Sequence, residues 1–136
     1  MDLNDLKNKK NELQRQWNNA RNQESEYRAY AQKMQTVYDE MRGIKDDMKY
    51  LRRNISDYVN EYYDFFIGAN FDGYCMKGKE IVSAYDAIID GIDENLDRLN
   101  DEITKYENLA LKTYGLIGSL ASQINNVINQ IENWIN

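Results

Sequence analysis

Residues 82–103, VSAYDAIIDGIDENLDRLNDEI, place apolar side chains at Val82, Tyr85, Ile89, Ile92, Leu96, Leu99 and Ile103, in steps of three and four without a lapse. The row runs on through Tyr106, Ala110, Thr113, Ile117, Leu120, Ile124, Val127, Ile131 and Trp134, and Thr113 is its one polar member. A mean step of 3.5 keeps such a stripe turned toward one neighbouring helix, which is the condition for coiled-coil packing. The stretch therefore reads as one long amphipathic helix that needs a partner.

That partner lies earlier in the same chain. Leu6, Leu13, Ala20, Tyr27, Met34, Met41, Met48, Ile55 and Tyr62 repeat every seven residues with no polar member. The companion row is Leu3, Lys10, Trp17, Glu24, Ala31, Tyr38, Lys45, Arg52, Val59 and Phe66, apolar at six of ten positions. No proline interrupts either arm, and Gly43 leaves the heptad phase unchanged, so it reads as a weak point rather than a helix end. Gly68, Gly73 and Gly78 fall within eleven residues and mark a chain reversal, with Asn70 or Asp72 available as an early cap for the second helix. The expected architecture is all-α, a long antiparallel helical hairpin resembling a coiled coil: one domain with a helix over about 2–66, a turn over about 67–78 and a helix over about 79–135.

A hairpin of this kind exposes most of each helix and builds no globular core. Burying a Leu or Ile gains roughly 1.5 to 3 kcal/mol, whereas ordering a residue costs about 1 to 2 kcal/mol of backbone entropy. A two-helix seam alone is thus marginal, and the hairpin is expected to complete a helical bundle with a partner or a second copy.

The rows outside the seam say where. Tyr30, Val37, Ile44, Leu51, Tyr58 and Phe65 recur every seventh residue, whereas the same row earlier holds Asp2, Lys9, Gln16 and Gln23. The second arm widens at Ile81 and Ile88, and again through Leu109, Tyr114, Leu116, Ala121, Ile128 and Ile135. A third apolar row implies another helix against it. From Thr113 to Asn136 the only charged residue is Glu132, the low charge of a surface that a partner desolvates.

The remaining composition narrows the function. Seventeen Lys and Arg against twenty-three Asp and Glu give a net charge of −6, with both signs interspersed. Nucleic acid, which needs a basic stripe, is disfavoured. Lys7, Lys9, Lys10, Arg15 and Arg21 form a local exception that reads as a solvated helix end. Histidine is absent and Cys75 is the one cysteine, so neither a Ser-His-Asp nor a Cys-His pair can form, and the usual zinc ligand sets are excluded. Asp86 with Asp90 and Asp93 with Asp97 fall one turn apart and could hold a hard cation, but they read as a solvated outer face. No cofactor and no catalysis are expected. Cys75 reads as a packing residue of a chain made in a reducing cytosol. The N-terminal residues lack the apolar core of a Sec-type signal, and no run approaches eighteen apolar residues, so no membrane insertion is expected.

Phe66-Ile67-Gly68, at the junction of two amphipathic arms and followed by Phe71, resembles the W-x-G turn of the WXG family of small type VII secretion substrates, with Phe in place of Trp. The chain is longer than a typical member and is more similar to the WXG-like accessory proteins encoded beside LXG toxins. The resemblance covers nearly the whole chain in helical pattern and about six residues in motif. It implies a Gram-positive, non-enzymatic adaptor that binds the toxin's N-terminal helical domain and helps deliver it to the secretion apparatus. It implies a cytoplasmic protein that leaves the cell, if at all, with its partner. The Tyr-x-x-x-Asp/Glu export signal of many WXG proteins is missing: the fourth residue after Tyr85 is Ile89, and after Tyr106 it is Ala110. The alternative is a self-associating structural protein, a homodimeric four-helix scaffold.

Overall fold

The computed structural model describes residues 2–63 and 69–135, with the backbone alone for residues 62, 63 and 69–71. It is an all-α helical hairpin of two helices, α1 (Leu3–Tyr63) and α2 (Ala69–Ile135). The start of α1 is set by Asp2: its Oδ1 accepts the Asp5 backbone N–H at 2.8 Å, and Asp5 Oδ2 accepts the Asp2 N–H at 3.3 Å. This reciprocal arrangement satisfies donors that have no partner inside the helix.

The second helix starts about ten residues before the expected position, so 69–78 is helix rather than turn. Two features explain the correction. Gly73 is exposed with open space around its Cα, so it costs only the roughly 1 kcal/mol of helix propensity that separates glycine from alanine. Cys75 and Gly78 extend the three-and-four stepping of the seam back from Val82, and both are buried. Packing against α1 outweighs the local glycine cost. Phe65, Phe66, Ile67 and Gly68 lie outside the described residues, and Phe71 falls in the first turn of α2.

The chain divides into two compact units. The terminal unit comprises Met1–Lys33 and Glu102–Asn136. Its core cluster is Leu6, Leu13, Ala20, Leu120 and Val127, with Trp17, Ile117, Ile124 and Ile131 packed against it. Ala31, Ile103 and Ala110 are buried in the same unit. Thr113 is buried as well, and its hydroxyl donates to the Leu109 carbonyl at 2.8 Å, so the one polar member of the second-arm seam is satisfied. The Tyr106 ring stands 6.0 Å from Tyr27 and 5.5 Å from Tyr30, tilted contacts that tie the arms together.

The middle unit, Met34–Asp101, is more thinly filled. Val59, Cys75, Ile89 and Leu96 are its buried hydrophobic residues among those described, with Met34, Met41, Met48 and Ile55 half-buried along α1. Here the arms close tightly at one point: a Cβ built on Gly78 would stand 2.4 Å from Cγ2 of Val59. No side chain larger than hydrogen fits there without displacing a β-branched neighbour. Among the described residues, no helix is long and apolar enough to cross a membrane.

Candidate functional site

The middle unit has two unlike sides. On one, the polar members of the α1 seam reach across to α2: Lys45 pairs with Asp93, and the Arg52 guanidinium meets both carboxylate oxygens of Asp86 at 2.5 and 3.3 Å. The hydrogen bonds from Arg52 to this carboxylate hold the guanidinium pKa above its ordinary value. Asp86 and Asp93 therefore flank the seam and pair across it while staying about half exposed, and Asp90 and Asp97 are exposed. The spacing carried the signal, because Lys45 and Arg52 are seven apart and so are Asp86 and Asp93. Among the described residues no group of three or more His, Cys, Asp or Glu is placed to hold a metal ion.

The other side is apolar. Ile55, Tyr58 and Val59 of α1 line a shallow groove with Tyr74, Lys77, Gly78 and Ile81 of α2. The row containing Tyr58 continues along α1 as Leu51, Ile44 and Val37, and the row containing Tyr74 and Ile81 continues along α2 as Ile88. All are exposed: Val37 44%, Ile44 51%, Leu51 44%, Tyr58 58%, Tyr74 73%, Ile81 47% and Ile88 48%. Helix geometry forces this outcome. A two-helix seam covers only two heptad rows, and these residues occupy the third.

The other residues expected to face a partner divide. In the terminal unit, Tyr30 is 47% exposed although its ring rests on Tyr106. Leu116 and Ile135 are exposed, whereas Leu109 and Ile128 are half-buried. Leu111, Tyr114 and Trp134, which the row of Leu109 and Leu116 does not include, are exposed too. Phe65, Phe66, Ile67 and Gly68 lie outside the described residues, so the turn motif is carried by sequence alone.

The N-terminal basic cluster is partly engaged within its own helix. Arg15 donates to both oxygens of Glu12, at 3.0 and 2.5 Å, and Gln16 donates to Glu12 at 3.2 Å. Those hydrogen bonds, first from Arg15 and then from Gln16, hold the Glu12 carboxyl below its usual range. The Arg21 guanidinium lies 4.9 Å over the Trp17 ring. Glu24, the acidic member of the α1 seam, is half-buried and accepts from Arg28 Nε at 2.8 Å.

The arrangement presents apolar area in regular rows, a geometry suited to receiving another helix. No protein family, characterised protein or solved structure matches the chain.

Proposed function

We propose that this chain is a non-enzymatic helical adaptor that binds the long helices of a protein partner, in the manner of the WXG-like accessory proteins that accompany LXG toxins in type VII secretion. The observation that carries the reading is the exposure of large apolar side chains in heptad rows on both arms after the hairpin has closed. Scattered exposed hydrophobics are ordinary on protein surfaces; a continuous apolar patch marks an interaction site. Each Leu or Ile transferred from water into a bundle core contributes roughly 1.5 to 3 kcal/mol. The absence of histidine and the single buried thiol of Cys75 also favour a binding role over catalysis.

The toxin's N-terminal helical domain would lie along these rows, and the hairpin would travel to the secretion apparatus with that domain. The test is co-expression with an LXG protein encoded at the same locus, followed by affinity capture and size-exclusion chromatography. A stoichiometric complex is expected. A chain that elutes by itself from an equimolar mixture with the toxin's helical domain would overturn the adaptor reading.

A further inference from the structure

We infer that a second copy of this chain covers the apolar side of the middle unit, laid face to face along a two-fold axis parallel to the helices so that both copies point the same way. This goes beyond the adaptor reading and does not rest on it: on the middle unit the second copy and the toxin's helical domain take the same rows, so there one occupant displaces the other.

The two edges of the apolar side differ in charge. On α1 the row outside Leu51 and Tyr58 holds Glu40, Asp47, Asn54 and Glu61; on α2 the row outside Ile81 and Ile88 holds Lys77, Ala84, Gly91 and Arg98. All four of Glu40, Glu61, Lys77 and Arg98 are exposed. One edge of the face is acidic and the other is basic.

The ion pairs across the seam give the register of the arms. In both, Lys45 with Asp93 and Arg52 with Asp86, the residue numbers add to 138. Glu40 with Arg98 and Glu61 with Lys77 satisfy the same relation, so each acid stands level with a base. Within one chain these residues occupy opposite outer edges and cannot meet. The proposed two-fold places α1 over α2 of the second copy, which brings Glu40 to Arg98 and Glu61 to Lys77 of the other chain, twice each. The same operation sets Tyr58 level with Ile81 and Leu51 level with Ile88 of the second copy, within one residue.

The competing two-fold, with the copies pointing in opposite directions, lays α1 on α1 and α2 on α2. It sets acid edge on acid edge and base edge on base edge, a destabilising arrangement. Charge therefore selects the first arrangement. The middle unit as a whole carries eight Lys and Arg against fifteen Asp and Glu. Two of those bases and two of those acids lie on the far side, where Arg52 pairs with Asp86 and Lys45 with Asp93 and the charges cancel. Packed helices lie about 8–10 Å apart, and screening acts over about 10 Å at 0.1 M salt, so the far sides of the two copies interact weakly.

Sedimentation equilibrium of the full chain tests the proposal. The expected species is a dimer at micromolar concentration. Reversal of the acidic edge (Glu40→Lys with Glu61→Lys) is expected to weaken it at least tenfold, as is reversal of the basic edge (Lys77→Glu with Arg98→Glu). An equimolar mixture of the two variants is expected to regain the dimer, a rescue that also shows both variants to be folded. A monomeric wild-type chain, a dimer indifferent to both reversals, or a mixture that stays monomeric would overturn the proposal. Because the dimer is read on the chain alone and the adaptor reading on capture by the toxin domain, either can fail without the other.

Discussion

Gly78 and Gly43 are both helical glycines, and the structure gives them opposite consequences. A methyl group at Gly78 would enter the space of Val59 Cγ2, whose β-branched side chain has one favoured rotamer in a helix and little room to retreat. Gly78→Ala is expected to destabilise the hairpin by about 1 to 3 kcal/mol, the usual range for overpacking. At Gly43 a Cβ meets nothing within 4 Å, and Gly43→Ala is expected to stabilise the chain by up to about 1 kcal/mol through helix propensity. Urea denaturation of the two variants measures both; a matching sign would refute the close-approach account of Gly78. Only the second half of this contrast was legible in the sequence. Intact heptad phase across Gly43 marks it as a helical position, whereas Gly78 reads as part of a turn until the seam is seen to continue through Cys75.

At the scale of the helices, the exposed third row separates folding from association. Ile44 and Leu51 stand about half in water, so replacing both by Lys is expected to leave the helical circular dichroism unchanged and, compared at concentrations where both chains are monomeric, to shift stability by less than about 0.5 kcal/mol, as surface substitutions do. The same variant is expected to lose association with the second copy. A monomer destabilised by several kcal/mol would mean that these side chains are core after all. The row is legible in the sequence because seam width is fixed by geometry: two facing helices can cover rows such as Leu6–Leu13–Ala20 but not the row beside them. The beginning of α2 was not readable, since three glycines in eleven residues carry the composition of a reversal and only the contact with α1 reveals the first helical turns. The ion pairs from Lys45 and Arg52 are not legible from α2 by itself, because Asp86 and Asp93 stand one turn from Asp90 and Asp97 on their own helix and meet their partners only across the seam.

For the molecule as a whole, the two units differ in what holds each together. The terminal unit has a contiguous cluster around Leu6, Leu13, Ala20, Leu120 and Val127, while the middle unit buries four hydrophobic residues among those described and leaves nine large ones exposed. Opening free energies follow local burial. Amide hydrogen exchange of the isolated chain under conditions that keep it monomeric is expected to be at least tenfold faster in 34–101 than in the terminal unit. Uniform protection across the chain would contradict the unequal filling. Cys75 offers a second clock for the same opening. As the one thiol in the chain, shut inside the thinner unit, it can be alkylated only when its surroundings come apart. Its labelling rate therefore reports the opening of that unit directly, and any protein that clamps the unit shut, copy or toxin, should slow the reaction without touching the sulfur.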